Sequence, residues 1–450
     1  MKTLSKIFVI VLVALITCNY LGINIKEQAQ SLMAKANINI FDKGESKDEK
    51  EIQNDDNQGS AYMIDENTQK ISELKGLYDE IIKFILEQKK DRKLIENYWV
   101  YDDTKYKYIK GTSGIYENAI AAIALLNHGE KETEKEAIDI LKNLSLLQNS
   151  DGSWYSLYDV SGNIYKREGN DLKSLSTGYN ALLLYAYSYY TIFTGEGSFL
   201  ETMKKSANYI LSKADPQNGG IIDSIQSDKE IKTTKSNIYA YYALREYAFC
   251  NIKRDYLEYK EKSKAADKIA EWIKDSCIGK NTVIKGYTGA DKLKYTDIDT
   301  FITAAFFVSS LENNINLNYG IEDFKNYISQ ISKKVGNIQG YGFDIDDKDS
   351  NLIWCEGVCK MPIAFFKLGD EKSSSEALSI IRTYQAKAEG NHKRGIPNSL
   401  NTEKNPSFVD LESVSASSWA AISYQILKQK DVNSIFLGKE GEIFKKVIGN

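Results

Sequence analysis

Residues 351–370 read NLIWCEGVCKMPIAFFKLGD, a helix that is apolar almost all round, with one carboxylate, Glu356, in its first turns beside Trp354 and Gly357. A helix without a polar face is packed on every side. A carboxylate on such a helix has to find partners, face a cavity or take up a proton, because an unpaired buried charge is costly. The simpler reading is that Glu356 marks a helix start, where the macrodipole favours negative charge. On this stretch alone the two readings are level.

Outward from there, the same design recurs. Apolar helices are expected to begin near Gly114, Asp171, Thr234, Asp297, Leu352 and Asp410, a repeat of about 60 residues that points to stacked helical hairpins. Amphipathic helices are expected over 70–90, 132–147, 198–213, 257–275, 321–334 and 373–388. In 132–147, Ala137, Ile138, Leu141 and Leu144 form one stripe while Lys135, Glu136, Asp139 and Lys142 face away. By contrast, NAIAAIALL at 118–126 and ALLLYAYSYY at 181–190 have no polar face. Six helices built for burial and six built for a surface predict an all-α fold, an (α/α)6 toroid spanning 65–437. An open superhelix would need more polar residues along its concave side. The remaining residues, 438–450, read as a C-terminal tail.

Composition narrows the function. The chain of 450 residues is 42% hydrophobic, enough for a sizeable core, and its net charge of −4 gives no basic excess for nucleic acid. Only two histidines, His128 and His392, argue against a histidine metal site or a Ser-His-Asp triad. His128, in Asn127-His-Gly129, reads as the neighbour of a helix C-cap. Cys355 and Cys359 lie four apart on one helix face and read as small buried residues, since a disulfide within one turn would be strained. Nothing in the sequence calls for a cofactor or a metal.

The N-terminus carries Lys2 and Lys6 ahead of an apolar run from Ile7 to Ile16, a secretory pattern over 1–23. Leu15-Ile16-Thr17-Cys18 resembles a bacterial lipoprotein box, which would place a lipid on Cys18. A cleaved signal or a short membrane anchor fits the same residues, and all three export the rest. Residues 24–64 include DKGESKDEKEIQNDDNQGS at 42–60, which is charged, lacks aromatics and reads as a flexible tether.

In a toroid the inner helices run parallel, so their N-termini meet at one mouth. That gathers Glu117, Asp171, Asp297, Asp299, Glu356, Asp410 and Glu412, together with loops that carry Trp154, Tyr155, Gly219-Gly220, Tyr287, Tyr341 and Gly395-Ile396-Pro397. The expected result is an acidic funnel rimmed with aromatics, which suits carbohydrate. Breaking a glycosidic bond needs paired carboxyl groups, one protonated and one ionised. Glu356, in apolar surroundings, is expected to have a raised pKa and to act as general acid or as the other member of the pair. Asp299 or Asp297 is its expected partner. Asp171 and Glu117 are further candidates for that partner, and with Trp154, Tyr155, Trp354, Tyr287, Tyr341 and Arg394 they are candidate sugar contacts, although Trp154 and Trp354 read equally well as core. Every one of the acids also has a capping explanation.

Trp354-Cys-Glu-Gly357, the Ala364-to-Asp370 segment ending in Leu-Gly-Asp, the Arg394-Gly-Ile-Pro397 loop and Ser413-Val-Ser-Ala-Ser-Ser-Trp-Ala420 together resemble the end of bacterial six-hairpin glycosidase-like proteins. The resemblance covers about 285–437 by motif and the earlier hairpins by pattern. It implies an (α/α)6 barrel acting on poly- or oligosaccharide, with Glu356 as the residue carried over. The chain departs from the pattern at Cys355 and Cys359, and its loop has one glycine where two are commoner. A second resemblance, of Gln148-Asn-Ser-Asp-Gly-Ser-Trp154 and Asp297-Ile-Asp-Thr300 to terpene-cyclase motifs, is weaker, because the first motif occurs once and the second ends in threonine. The same mouth would also suit a non-catalytic toroid that binds cell-surface polysaccharide, or a polysaccharide lyase that uses a tyrosine base.

Overall fold

The computed structural model describes residues 71–449 apart from 227, 280–281, 294–295, 312–318, 346–350, 386, 388–392, 403–407 and 430–435. The expected signal segment, Cys18, the tether and His392 lie outside the described residues.

The helices that build the fold are α1 (Lys75–Lys89), α2 (Ile115–His128), α3 (Lys131–Ser145), α4 (Thr177–Thr194), α5 (Leu200–Ser212), α6 (Thr234–Asn251) and α7 (Tyr256–Trp272, continued by a π turn over Ile273–Cys277). Then come α8 (Ile298–Ser310), α9 (Ile321–Ile331), α10 (Cys355–Lys367), α11 (Glu371–Ile381), α12 (Val414–Gln429) and α13 (Glu440–Gly449).

The even-numbered helices from α2 to α12 form the inner ring. Each packs on the next, and α12 packs back on α2, which closes the circle. The odd-numbered helices wrap them: α1 lies on α12, α3 on α2, α5 on α4, α7 on α6, α9 on α8 and α11 on α10. The cause is the hydrophobic pattern. In α4 every residue from Thr177 to Ile192 is buried except the half-buried Tyr179, whereas α3 buries only Thr133, Ala137, Ile140, Leu141 and Leu144. The helices begin within about five residues of their expected positions, except α4. Asp171 lies on a hairpin (Lys166–Arg167 with Asn170–Asp171), and α4 starts only after Ser176, whose hydroxyl caps it. Residues 332–334, expected to be helical, belong to the strand Ser332–Val335, which pairs with Ile338–Tyr341.

The loops before the inner helices are clamped by a repeated device. The fourth residue of α2, α4 and α6 is asparagine, and its side-chain oxygen accepts the backbone N–H of Ile95, Trp154 or Ile221 (Asn118 3.1 Å, Asn180 2.7 Å, Asn237 2.6 Å). Ser417 does the same for Ile396 in α12, at 2.9 Å. These bonds satisfy buried loop amides that would otherwise be orphaned.

The end opposite the mouth is filled from the C-terminal segment. Phe436 packs against Tyr185, Tyr189 and Trp419. The backbone N–H of Leu437 donates to Tyr185 Oη at 2.8 Å, its carbonyl accepts Lys367 Nζ at 3.0 Å, and the Gly438 carbonyl accepts Arg245 at 2.8 Å. The expected tail is helix α13, packed on α6. His128 ends α2 beside Gly129, whose φ of 77° is the left-handed cap, and its Nδ1 is 2.7 Å from Tyr78 Oη. Among the described residues no helix is long and apolar enough to cross a membrane.

Candidate active site at the mouth of the inner ring

The second residues of the inner helices are Tyr116, Gly178, Lys235, Asp299, Glu356 and Ser415. Because the six helices start together, these positions converge on the axis. Tyr116 Oη donates to Glu356 Oε1 at 2.7 Å and Ser415 Oγ donates to Glu356 Oε2 at 2.9 Å. Asn398 Nδ2 approaches the same Oε2 at 3.4 Å. Lys235 Nζ donates to Asp299 Oδ2 at 2.7 Å. One turn along α10, Lys360 joins the two groups, with Nζ 2.9 Å from Asp299 Oδ1 and 2.9 Å from Glu356 Oε1. Its ammonium is enclosed by rings, 5.1 Å from the centroids of Trp354 and Trp419 and 5.6 Å from that of Tyr116. The Trp419 indole N–H donates to Tyr116 Oη at 2.9 Å, so the tyrosine is fixed from behind.

Three of the inner helices are capped by side chains, Ser176 on α4, Thr233 on α6 and Asp297 on α8. Helices α2 and α10 have no capping side chain, and these two carry Glu117 and Glu356 in their first turns. Glu117 is half-buried, and its carboxylate folds over Gly114: a Cβ built there would lie 2.0 Å from Glu117 Oε2.

The electrostatics divide the acids. Burial opposes ionisation of Asp299, but Lys235 and Lys360 outweigh it and hold the carboxyl below its ordinary range. Burial likewise disfavours the charge on Lys360, and Asp299 and Glu356 overcome it. Glu117 goes the other way. Burial raises its pKa, the Glu356 charge adds to this, and its own backbone N–H and Lys360 only partly offset them, leaving it at about 7. The neighbouring phenols of Tyr98 and Tyr179 are pushed up by burial, Tyr98 further by Glu117 and Glu356.

Of the residues singled out in the sequence, Glu356, Asp299 and Glu117 meet at this floor, and Trp354 caps α10 beside it. The ring of Trp354 lies on Gly357, where a Cβ would come within 2.2 Å of it. The others are elsewhere. Asp297 is the α8 cap: its Oδ1 accepts the N–H and hydroxyl of Thr300 at 2.8 and 2.7 Å, and Lys285 Nζ is 3.1 Å from Oδ2. Asp171 is exposed on its hairpin, 3.8 Å from Lys173. Trp154 is fully buried, donates to the Leu144 carbonyl at 2.7 Å and stacks on Tyr187, so it is core and not a sugar platform. Tyr155 packs on Tyr158. Tyr287 rests on Trp272 and donates to the Ser276 carbonyl. Tyr341 lines a groove of about 710 Å³ between α9 and α11 on the outer wall. Arg394 is exposed, 3.8 Å from Glu80 on α1. Glu412 precedes α12 on a short strand, its carboxylate accepts the Lys393 N–H at 2.7 Å, and burial pushes it up to about 7.

The expected acidic funnel therefore has a charge-balanced floor. Lys235, Lys360, Tyr116 and Ser415 were absent from the sequence-based site. The signal for Lys360 was present, since it lies four residues after Glu356 and so on the same helix face. Aligning the six helix starts would have found the others. Among the described residues no group of three or more His, Cys, Asp and Glu side chains is arranged to hold a metal.

No protein-family model matches the sequence, and comparison with curated proteins finds no match. Solved structures do match. The cellobiose 2-epimerase of Spirochaeta thermophila is similar with a TM-score of 0.60 at 13% identity, over 82% of this chain and 99% of that one. A D-mannose isomerase matches with a TM-score of 0.59 at 15% identity, over 82% and 100%. A wild-type glycosidase matches with a TM-score of 0.56 at 12% identity, over 82% and 98%. At such identities the likeness concerns architecture, and it agrees with the closed double ring of helices and with the resemblance carried by Trp354-Cys-Glu-Gly357. The chain has the six-hairpin, glycosidase-like (α/α)6 fold.

Proposed function

We propose that the protein is a carbohydrate-active enzyme that hydrolyses glycosidic bonds, with Glu117 as general acid and Glu356 as the ionised partner. The observation that carries this reading is the division between two carboxyl groups at one mouth. Glu117 keeps a proton up to about pH 7, while Glu356 is surrounded by Tyr116, Ser415, Asn398 and Lys360, all placed to donate to it. Paired groups whose surroundings favour opposite protonation states are what glycoside hydrolysis requires. Of the two roles expected for Glu356, this reading takes the second, base or nucleophile. Sugar isomerases and epimerases share the fold, and their chemistry needs a base that removes a proton from carbon. The apolar run after Lys2 and Lys6 supports an exported protein tethered at a membrane. A second reading, a toroid that binds polysaccharide without cleaving it, is favoured by the internal pairing of Asp299 and Glu356.

The test is to incubate the protein with a panel of bacterial and plant polysaccharides and follow new reducing ends beside Glu356→Gln. Release by the parent and loss in the variant is the expected result. Equal release by both would remove Glu356 from the chemistry. Retention of a polymer on a gel without release would favour the binding reading.

Gly114→Ala gives a sharper test of Glu117. The backbone at Gly114 (φ −87°, ψ 146°) suits alanine, and the added methyl overlaps the Glu117 carboxylate while meeting Asn97 Nδ2 at an ordinary 3.5 Å, so it turns the carboxylate away. Thermal stability should change by less than about 1 kcal/mol. The rate should fall about 10²-fold, as for a catalytic group misplaced by an ångström. Unchanged kinetics would mean that this position of Glu117 is not the working one.

A further inference from the structure

Lys360 is the most enclosed charge at the mouth, and nothing in the proposed chemistry uses it directly. Its side chain is 1% exposed, so it cannot be a contact for a large substrate. Its ammonium has three donors, and two are accounted for at 2.9 Å by carboxylates from two different helices, Asp299 on α8 and Glu356 on α10. Asp299 is held in turn by Lys235 from α6, whose side chain is 29% exposed. Three neighbouring inner helices thus contribute an alternating row, Lys235, Asp299, Lys360, Glu356, that runs from the half-open side of the mouth to the axis.

We propose that Lys360 is a positioning residue that pins the Glu356 carboxylate at the axis, with Asp299 serving as the anchor that holds Lys360 in place. This inference rests on the proposed role of Glu356 and gives Asp299 a supporting role in place of the catalytic one expected from sequence. Two physical points carry it. A glutamate side chain has free torsions, and Glu356 is fixed because its oxygens take short bonds from different helices: Tyr116 and Lys360 on Oε1, Ser415 on Oε2. An ammonium enclosed by Trp354, Trp419 and Tyr116 is not stable there alone, and Asp299 supplies the second charge that keeps it between the helices.

The titratable groups facing this row are Tyr98 from the loop before α2, Tyr116 and Glu117 from α2, Tyr179 from α4, Lys235 and Tyr239 from α6, Asp297 and Asp299 at the start of α8 and Cys359 from α10. Helix α12 contributes the uncharged Ser415 and Trp419. Lys360 lowers the Glu117 pKa across the mouth, so its removal moves Glu117 toward the protonated form.

The experiment follows tryptophan fluorescence against pH, because Trp354 and Trp419 flank Lys360 and the signal needs no substrate. It compares the parent, Lys360→Met, and the double variant Lys360→Met/Asp299→Asn, which removes the pair together and leaves no unpaired aspartate. In the folded variants the transition near neutrality should move to higher pH, as for a carboxyl that loses a nearby cation. If a polysaccharide substrate is in hand, kcat should fall with KM little changed. A folded variant with the parent's titration would overturn the inference. So would a double variant that does not fold, which would make the lysine a structural counter-ion. Absence of any hydrolysis in the parent would count against the proposed function and leave the fluorescence result standing.

Discussion

Glu117→Gln should lower kcat/KM on an unactivated oligosaccharide by about 10²–10⁴-fold, the range for loss of a general acid. An aryl glycoside whose phenolate leaves without a proton should be far less affected. The reason is local. Glu117 sits in the first turn of α2, deep enough for burial to raise its pKa and near enough to Glu356 for that charge to add to it, which puts it at about 7. A group with a folded-state pKa above its unfolded value of 4.5 binds more protons when folded. Stability therefore falls as pH rises from about 4.5 to about 7, and the penalty is complete above that. Glutamine removes the penalty, so the variant should melt higher than the parent at pH 8 while it loses activity. Opposite shifts in stability and rate distinguish a working acid from a residue that merely caps its helix. A lower melting temperature at pH 8 with unchanged rates would assign Glu117 to capping.

Arg245→Met should be among the most destabilising single changes in the protein, by about 3–5 kcal/mol, because it leaves a buried charge unpaired. Arg245 and Glu246 are each 1% exposed. The guanidinium donates to Glu246 through Nε at 3.1 Å and Nη2 at 2.7 Å, and also to Tyr241 and the Gly438 carbonyl. It lies 5.0 Å from the ring centroids of both Tyr241 and Tyr242. Without it, burial drives Glu246 to take up a proton, and the 436–438 segment that fills the closed end loses one of its ties. For a domain of this size the loss corresponds to a fall in Tm on the order of 5 °C. Arg245→Met/Glu246→Gln should recover part of it, since both charges leave together. Thermal melts of the two variants check this, and a single variant within about 1 °C of the parent would refute it.

The toroid was legible because its cause is repeated six times. An all-apolar helix has nowhere to go except between other helices, and Ala181–Tyr190 or Asn118–Leu126 state that without help from the loops. The ends of the elements were less legible. Asp297 caps α8 where its position suggests, but Asp171 only resembles a cap, since the loop travels on to Ser176 before α4 can start. The site was half legible. Glu356, Asp299 and Glu117 were drawn together by the parallel helix starts alone. Lys360 and Lys235 were passed over because a long side chain on an apolar helix looks like a break in pattern, when in fact it supplies the charge that lets the acids be buried. Tryptophan in a glycine loop suits a sugar platform and the core equally, and sequence does not choose between them for Trp154. Its indole N–H reaches the Leu144 carbonyl, and sequence carries no sign of which partner that N–H will find.

The proposed hydrolysis requires Glu117 to hold its proton beside the Glu356 carboxyl. The pH dependence of kcat/KM on a polysaccharide found by the panel reports the essential groups of the free enzyme, and so reads that pair out. A descending limb near pH 7 is expected in the parent, set by loss of the Glu117 proton, and no such limb in Glu117→Gln. A rate that does not fall between about pH 6 and 9, or a limb that persists in the variant, would overturn the assignment.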